Sequence, residues 1–452
     1  MHAVRQDGGT RRRKGPPLAR AIPCALLLAA PGAAPAGPDS SAVFCPVDSV
    51  VVSGNRTTRE YVILDEMTLR PRASATPEAV AFDRNRIYSL GLFNRVDIAC
   101  AEVDGRGILF VDVHERWYLI PVPLFGFRDG DTRRPYYGAG LLHNNLGGRN
   151  QKLFGSIVFG ANPSLDASFS DPQVSRSRNL FFSAGVSFAR IRNRSEAAAA
   201  STGPFDEEHT AVSASVGKRL SLYESVSLGA GFRTVRVDRY LEGRTRDPSG
   251  RDAFPWAQIG FIADARDLKE YPSRGRYAAA TFTHYGLGLS VVEHFRLGAD
   301  LRSYLSLPGE ATLALRAHGA LMGGGPVPTY NRSYFGYAER IRGHHRTVYE
   351  GEHMLGGSAE IRFPLLPPRI LEMGDLPVPR EFTVWRFGIS LAVFKDAGAV
   401  WFRDEPLSLH RFVTGHGAGV DLLLPYGVVA RAQYAWDERG RGELILDIRN
   451  AF

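Results

Sequence analysis

The longer part of the chain, from residue 118 to the end, alternates hydrophobic and polar positions with a period of two. Phe387, Ile389 and Leu391 share one parity, for example, while Gly388 and Ser390 share the other. Alternation of this kind is typical of β-strands with one apolar face, and we find no helical pattern in this part. We count about sixteen such segments, which begin near Tyr118, Tyr136, Gln151, Ser164, Asn179, His209, Glu224, Ala253, Arg276, Glu293, Ala311, Gly356, Thr383, Gly415, Gly427 and Gly442.

These segments predict a barrel that spans a membrane. Transmembrane barrels need an even number of antiparallel strands of roughly ten residues, apolar outside and polar inside. The polar parity often includes Arg, Asp, Glu and His, which suits a wet lumen. A soluble sandwich would have to cover its apolar face with a second sheet, whereas lipid covers that face in a barrel. We therefore predict a membrane all-β fold, a 16-stranded antiparallel transmembrane β-barrel over residues 118–452.

A smaller module precedes the barrel over residues 46–116, where the periodicity is mixed. Val47–Val52 is a short apolar strand that ends in a turn, and a first helix is expected directly after it. Residues 77–90 begin like a second helix, with proline in the first turn. Val96–Ala101 and Ile108–Val113 follow as two strands. The order β-α-α-β-β predicts one small α+β domain in front of the barrel.

The first 36 residues have the three parts of a secretory signal peptide. They are the basic run Arg11–Lys14, the apolar stretch Ala21–Ala30 and a small-residue site that ends at Ala36. Residues 1–36 hold six basic groups against one acid, so this leader contributes +5 of the formal net charge of +8. The rest of the chain holds only +3, which argues against a nucleic-acid partner. We expect cleavage near Ala36 and export.

Composition excludes two other classes. Hydrophobic residues make up 44% and charged residues 23% of the chain, which is not the balance of a disordered protein. After the first forty residues no uncharged apolar run reaches the 18 residues that a membrane-spanning helix needs.

Export would leave Cys45 and Cys100 in an oxidising compartment, where disulfides form and persist. Their pairing depends on geometry that a sequence does not contain, so they are a candidate disulfide. No CxxC spacing occurs, and we predict neither a metal site nor a cofactor.

One connection between predicted strands is much longer than the others. About thirty residues, Gly323–Leu355, separate two strands, and loops beyond about 12–15 residues are usually functional or disordered. The loop is rich in glycine, tyrosine and arginine, which favours packing against something, such as the inside of the lumen.

Strand parity places Glu360 and Asp396 on the luminal face of two neighbouring predicted strands. Carboxylates in a partly dry lumen need a cation partner. Arg342 of the long loop is a natural candidate, because one guanidinium can hydrogen-bond two carboxylates at once. The alternative is that all three are separately solvated charges of the lumen.

Several motifs occur together in a specific order. In the module they are Val51-Val52-Ser53-Gly54-Asn55-Arg56-Thr57-Thr58, Leu90-Gly91-Leu92-Phe93-Asn94-Arg95-Val96 and Val111-Asp112-Val113-His114-Glu115. In the barrel they are Tyr271–Arg276, Ile341-Arg342-Gly343, Gly356–Pro364, Val393–Trp401 and the terminal Phe452. On these residues the chain resembles the BamA/TamA family of outer-membrane assembly and translocation proteins over essentially its whole mature length. The module resembles a single polypeptide-transport-associated (POTRA) domain.

The resemblance implies that Ile341-Arg342-Gly343 folds into the lumen and that Arg342 binds the acidic wall residues Glu360 and Asp396. Phe452 resembles the aromatic end by which outer-membrane proteins are recognised. Two features depart from the family pattern. His344 stands where an aromatic residue usually follows Arg-Gly, and only one POTRA domain is present, whereas the main assembly factor has several.

The resemblance further implies insertion of β-barrel proteins into the outer membrane, or translocation of polypeptides through it. An unfolded client would add as a strand to the edge of the POTRA sheet. The seam between the first strand, Tyr118–Arg128, and the last, Gly442–Asn450, would then open sideways and present an unpaired edge. Pro121 and Pro123 lack N–H donors and would weaken pairing at the seam, unless they precede the paired part of the strand.

The expected partners are outer-membrane lipid and unfolded outer-membrane or secreted polypeptides, with periplasmic chaperones as further candidates and no nucleic acid. The alternatives are a dedicated exporter of one partner protein and, less favoured, a passive outer-membrane pore. No serine has glycine at both −2 and +2, and neither an HExxH motif nor a phosphate-binding GxxxxGK[ST] loop occurs. We therefore predict that the protein is not an enzyme.

Overall fold

The structure is a computed structural model, and it describes residues 45–128, 132–374 and 380–449. The signal peptide predicted over residues 1–36 and the terminal residue Phe452 lie outside the described residues. Among the helices of the described part, none has both the length and the apolar character needed to cross a membrane.

The N-terminal module is built on a three-stranded sheet. Its elements are β1 (Cys45–Pro46), β2 (Ser49–Ser53), α1 (Glu60–Leu64), β3 (Ser74–Ala75), α2 (Pro77–Tyr88), β4 (Phe93–Val103) and β5 (Arg106–Glu115). In the sheet β5 lies in the centre, parallel to β2 and antiparallel to β4. The predicted order β-α-α-β-β is confirmed, with β1 and β3 paired as a separate two-residue ladder.

Local sequence explains how the module folds. Thr76 caps α2, because its hydroxyl accepts a hydrogen bond from the backbone N–H of Ala79 at 3.2 Å, and proline follows at the first helical position. The apolar faces of the helices meet the sheet in one core, where Ile63, Ile87 and Leu109 are fully buried. Burial of such side chains stabilises a domain by about 1.5–3 kcal/mol each.

Cys45 in β1 and Cys100 in β4 are joined by a disulfide, with Cα atoms 6.3 Å apart. The bond closes a loop whose ends are 55 residues apart in sequence. A loop of that length loses enough entropy in the unfolded chain to stabilise the module by about 4 kcal/mol.

The rest of the chain forms the predicted sixteen-stranded sheet, in which every neighbouring pair is antiparallel. Its strands are β6 (Leu119–Phe127), β7 (Pro135–Leu146), β8 (Gln151–Gly160), β9 (Ser164–Ser175), β10 (Leu180–Arg192), β11 (Asp206–Arg219), β12 (Glu224–Val237), β13 (Arg251–Asp264), β14 (Gly275–Tyr285), β15 (His294–Ser306), β16 (Thr312–Gly324), β19 (His353–Glu372), β20 (Val384–Trp401), β21 (Val413–Leu424), β22 (Val428–Asp437) and β23 (Gly442–Arg449). Two short strands, β17 (Ser333–Phe335) and β18 (Tyr349–Gly351), form a separate hairpin between β16 and β19.

We found no helical pattern after residue 118, yet the described part of the chain has one short α-helix there. Helix α3 (Glu196–Thr202) lies between β10 and β11. The hydroxyl of Ser195 accepts from the backbone N–H of Ala198 at 3.0 Å, and a run of alanines, which have the highest helix propensity, follows. Seven residues make too few turns to show a helical period, so the pattern search missed it.

The two faces of the sixteen-stranded sheet differ as the alternation predicts. Apolar side chains cover the outer face, where Phe125 is 76% and Ile448 is 73% exposed. The inner face holds charged side chains that are buried, and Glu360 is completely shielded from solvent. An apolar outer band with a polar interior is the arrangement of a barrel whose outer face is covered by lipid.

The module lies against the turns at one end of the barrel, which we name the module end. Arg219, the last residue of β11, forms an ion pair of 2.8 Å with Glu66, and Arg176, in the turn after β9, forms one of 3.1 Å with Asp65. Leu268, from the turn between β13 and β14, packs into the apolar core of the module. The opposite end is named the far end.

Candidate functional site at the inserted loop and the seam

The long connection between β16 and β19, residues 325–352, folds into the barrel. Phe335, Ile341 and His344 of this inserted loop are each at most 5% exposed. Phe335 and Ile341 pack with Met354 of β19 in one apolar cluster. The hairpin β17–β18 holds the two arms of the loop together, so its middle part reaches the inner wall as a fixed turn.

The structure brings Arg342 together with Glu360 of β19 and Asp396 of β20. The Arg342 guanidinium donates to both carboxylate oxygens of Asp396, at 2.8 and 2.7 Å, and to Glu360 at 2.5 Å. It also donates to the Ser358 hydroxyl at 2.8 Å and lies over the Phe394 ring, 3.6 Å from its centroid. Every side of this cation therefore has a partner. We name Arg342, Glu360 and Asp396 the wall cluster.

Glu360 has a second cationic partner, since Arg362 donates to its other oxygen at 2.7 Å. Asp396 is likewise shared, because the Ser358 hydroxyl donates to it at 2.7 Å. Buried charges are tolerated when such additional hydrogen bonds satisfy them. β19 and β20 are neighbours in register, with Ser358 directly opposite Asp396. Antiparallel pairing thus presents the three wall side chains to the loop.

Glycine is required where the loop meets the wall. Gly343 has a φ of +97°, which favours glycine, and a Cβ there would lie 2.7 Å from the carbonyl oxygen of Trp436. On the wall, a Cβ at Gly415 would overlap the carbonyl oxygen of Arg342. The backbones of loop and wall are therefore in direct contact.

The same loop turn is bound to the last strand by a residue that our sequence analysis did not select. Glu443 of β23 accepts hydrogen bonds from the backbone N–H groups of Gly343 at 3.0 Å and His345 at 2.7 Å. Glu443 has the inward parity of β23, but its partners lie 98 and 100 residues away in sequence. No local pattern could have identified that contact.

His344, which replaces the usual aromatic residue, makes polar contacts instead. Its Nε2 lies 2.8 Å from the Glu438 carboxylate in the turn between β22 and β23, and its Nδ1 lies 2.8 Å from the Tyr349 hydroxyl. Partial burial alone would raise the pKa of Glu438. Hydrogen bonds, including one from His344, outweigh that effect and lower the pKa. The departure thus adds a further contact between the loop and the final hairpin.

A second ion pair anchors the loop to β16, a strand outside the wall cluster. Glu339 binds the Arg316 guanidinium of β16 with both carboxylate oxygens, at 3.0 and 3.1 Å. Arg316 is also paired with Asp300 of β15 at 2.9 Å. Strand parity marks Arg316 and Asp300 as luminal, but it does not connect them to Glu339.

The seam lies between β6 and β23, which are the two ends of the sheet order. Within residues 45–128, 132–374 and 380–449, no backbone pairing joins these two strands. Pro121 and Pro123 lie inside β6, opposite Leu141 and Ala139 of β7, so they do not precede the paired part of the strand.

Backbone direction shows which edge the two prolines affect. The backbone carbonyl of Tyr118 accepts from the backbone N–H of Asn144, and the backbone N–H of Arg128 donates to the carbonyl of Arg134. Even-numbered residues of β6 therefore point their N–H and C=O groups to β7. Odd-numbered residues point to the seam. Pro121 and Pro123 therefore remove N–H donors from the seam edge and leave the β7 ladder intact.

Tyr118 connects the start of the seam strand to the module. Its hydroxyl lies 2.9 Å from the hydroxyl of Thr58, which in turn accepts from the Asn145 side chain at 2.9 Å. Burial raises the pKa of Tyr118, so this hydroxyl stays protonated at neutral pH. The first barrel strand thus begins at a fixed point on the module.

The described residues contain no group of three or more histidine, cysteine, aspartate or glutamate side chains placed to hold a metal ion. Arg342 and Glu339 of the inserted loop form ion pairs with side chains of the barrel strands. The arrangement can therefore fix a loop and present strand edges.

Comparisons with known proteins agree with this architecture. Residues 145–443 match the Omp85 superfamily domain, and residues 46–116 match the POTRA family described as the surface antigen variable number repeat. The outer membrane protein assembly factor BamA of Neorickettsia risticii (strain Illinois) is 32% identical over 156 residues. That alignment covers 34% of this chain and only 20% of the relative.

Two solved structures have a similar fold. BamA from Haemophilus ducreyi lacking POTRA domains 1–3 superposes with a TM-score of 0.53 at 16% identity, covering 89% of this chain and 83% of that one. CdiB from Acinetobacter baumannii gives a TM-score of 0.51 at 13% identity, covering 90% of this chain and 73% of that one.

The fold and the site define an outer-membrane β-barrel with a POTRA domain in the periplasm. The chain belongs to the Omp85 superfamily. The module end of the barrel is therefore periplasmic and the far end is extracellular.

Proposed function

We propose that this protein inserts unfolded β-barrel polypeptides into the outer membrane, or passes polypeptides through it, without catalysing a chemical reaction. The client binds on the periplasmic side as a strand added to the edge of the module sheet. It then pairs with a strand edge exposed at the seam between β6 and β23. Family membership supports the class of function, and the geometry of the seam supports the route.

The observation that carries the proposal is the pair of strand edges at the seam. The backbone N–H of Asp437 donates to the backbone carbonyl of Arg441 across the final hairpin. The backbone groups of odd-numbered residues of β23 therefore pair with β22, and those of even-numbered residues face the seam. Leu444, Leu446 and Ile448 thus offer N–H and C=O groups to a client. Each hydrogen bond formed there contributes about 0.5–1.5 kcal/mol, and lipid covers the client's apolar face. Insertion therefore needs no nucleotide.

The module sheet has two edges, and we propose β2 as the one that receives the client. The other edge, β4, lies beside the barrel turns, where Arg95 pairs with Glu372 and the Asn94 side chain donates to the carbonyl of Glu381. β2 (Ser49–Ser53) is at the opposite side of the sheet. An extended segment can add there by backbone hydrogen bonding that does not depend on client sequence.

The proposal assigns residues 1–36 to the signal peptide, 46–116 to the POTRA domain and 118–452 to the barrel. Its partners are outer-membrane lipid and unfolded polypeptides, with periplasmic chaperones as carriers of the client. A dedicated exporter of one partner protein would use the same seam, and the range of accepted clients separates the two functions.

The decisive experiment locks the seam. Single cysteines are placed along β6 and β23, and the pair that forms a disulfide upon oxidation is selected. The oxidised protein in proteoliposomes should insert a reference barrel client at least tenfold more slowly, and reduction should restore the rate. The client is followed by its shift in gel mobility on folding.

A matched control locks a wall that the proposal does not open. Ser183 of β10 and Ser215 of β11 lie opposite each other with their hydroxyl oxygens 2.7 Å apart, so cysteines there should bridge readily. This lock should not affect insertion. Full insertion through a completely cross-linked seam would show that the client takes another route.

The role of the module is tested by deleting residues 46–116. The remaining barrel should keep its heat-modifiable gel mobility and lose client insertion. If the barrel itself fails to fold, the module acts as part of the scaffold and the proposed receiving role for β2 has no support.

A further inference from the structure

A basic cavity of about 720 Å³ lies at the extracellular end of the barrel, and the seam mechanism does not use it. Side chains from several loops and strands line it. The charged ones are Arg134, Arg190, Arg192, Arg244, Asp206 and Asp238. We name this the rim cavity. Among the described lining residues, four guanidinium groups stand against two carboxylates, which is an excess of positive charge.

Strand β10 fixes the depth of the rim cavity. Val186 and Phe188 are exposed on the outer face, and Arg190 and Arg192 continue the same parity. A strand rises about 3.3 Å per residue, so each step along this face is about 6.6 Å. The first guanidinium therefore lies one step beyond the apolar band. Lipid headgroups meet the barrel at this level.

Two of the arginines have no acidic partner among the described residues. The Arg192 side chain is exposed and forms no hydrogen bond or ion pair with them. The Arg244 side chain is buried, donates to the carbonyl of Thr202 at 2.6 Å and lies 4.3 Å from the centroid of the Phe205 ring. Within the described part of the chain, no carboxylate lies within 4.0 Å of either guanidinium.

Arg190 is weakly paired with its acidic neighbours. Arg190 lies 3.4 Å from Asp206 and 3.4 Å from Asp238, both longer than a good charged hydrogen bond. Arg134 donates to the side-chain oxygen of Asn162 at 3.0 Å. A ligand with several anionic oxygens could therefore bind Arg190, Arg192 and Arg244 without breaking a short ion pair among the described residues.

We propose that the rim cavity binds the phosphate group of a lipid headgroup in the outer leaflet. Arginine binds phosphate through two parallel hydrogen bonds, and a fixed arginine such as Arg244 loses little freedom in doing so. Below the cavity, Phe188 of β10 lies directly opposite Leu165 of β9, and both are exposed outward. Acyl chains of the bound lipid pack against this apolar pair. A free anion would gain only the upper half of the site.

The experiment measures how much lipid stays bound to the purified full-length protein by native mass spectrometry. The probes are bisphosphorylated lipid A, the same lipid after removal of its phosphates, and inorganic phosphate. The phosphorylated lipid should be retained at least tenfold better than the dephosphorylated one. Arg192→Gln and Arg244→Gln should each weaken that retention about fivefold, since one basic side chain near an anionic headgroup contributes about 1 kcal/mol.

Arg236→Gln is the matched control. Arg236 lies on the outer parity of β12 at the same end, outside the cavity, and pairs with Glu208 at 2.9 Å. Its loss removes the same charge and should change lipid retention less than twofold. Because the exposed Arg192 side chain forms no hydrogen bond or ion pair with the described residues, Arg192→Gln should fold normally, and it decides the test if Arg244→Gln does not fold.

Three results would overturn the proposal. Equal retention of the dephosphorylated lipid would show that phosphate is not recognised. Displacement of the lipid by millimolar inorganic phosphate would indicate a site for small anions. An equal loss in Arg236→Gln and Arg192→Gln would indicate diffuse attraction by the whole rim, without a defined site.

Discussion

Two regions of the barrel sheet differ in how firmly their strands are held: the wall of β19 and β20, which receives the inserted loop, and the seam between β6 and β23. They differ in strand length and in strand pairing. β19 and β20 are 20 and 18 residues long and paired along their length, and their inner face holds the fully bonded wall cluster. β6 and β23 are only 9 and 8 residues long, and they do not pair with each other in the described residues.

The inner faces differ as well. The wall presents Glu360, Arg362 and Asp396, each satisfied by a charged partner, whereas β6 presents Ile120, Val122 and Leu124 to the lumen. Charged hydrogen bonds depend on geometry and lock the wall in one register, while apolar contacts tolerate sliding. The comparison shows that different strands of one sheet form the rigid wall and the strand edges that are free to pair with a client.

One loop turn connects the two regions. Arg342 binds the wall, while the N–H groups of Gly343 and His345 bind Glu443 of the last strand. A displacement of the loop would therefore break the hydrogen bonds to Glu443 and loosen the last strand at the seam. The following predictions break this connection at the wall, at the loop and at the seam edge.

Arg342→Ala should have the largest effect, because it leaves Glu360 and Asp396 as buried carboxylates without their shared cation. Loss of one partner from a buried ion pair typically costs about 3–5 kcal/mol. The barrel should unfold at a markedly lower temperature in the gel-mobility assay, and proteases should cut the loop. Arg342→Lys keeps the charge but cannot bridge both carboxylates, so its loss should be intermediate. Unchanged melting and protease resistance in Arg342→Ala would disprove a structural role for the cluster.

Glu443→Ala should destabilise the last strand by about 2 kcal/mol, since two backbone donors lose a charged acceptor. Amide hydrogen exchange should become faster in β23 and in the loop turn and stay slow in β19 and β20. Glu443→Gln retains an accepting oxygen and should show a smaller change. Equal exchange of β23 in all three proteins would mean that the loop does not hold the seam strand.

Pro121→Val with Pro123→Val should have the smallest effect on stability, about 1 kcal/mol or less per restored donor. The two new N–H groups point to the seam and should strengthen its pairing, so client insertion should slow while the barrel becomes slightly more stable. Pro255→Val in β13, a strand inside the wall, is the control and should leave insertion unchanged. Faster insertion in the β6 variant would contradict the assignment of these prolines to the seam edge.

Much of the fold could be predicted because barrel strands repeat a local rule. Predicted starts at Arg276, Ala311 and Thr383 fall one residue from the observed starts of β14, β16 and β20. Helix α3 and the β17–β18 hairpin were missed, since short elements contain too little periodicity to be recognised.

The alternation of side chains, read from the sequence alone, determined the number of strands, the face of each residue and the charges that enter the lumen. These follow from geometry within one strand, where successive side chains point to opposite sides. The family resemblance implied that Arg342 meets Glu360 and Asp396. Only the tertiary structure decided that Glu443 binds the loop turn and which outward arginines surround the rim cavity. Such contacts join residues many strands apart, and their height and angle around the barrel depend on the register of every strand between them.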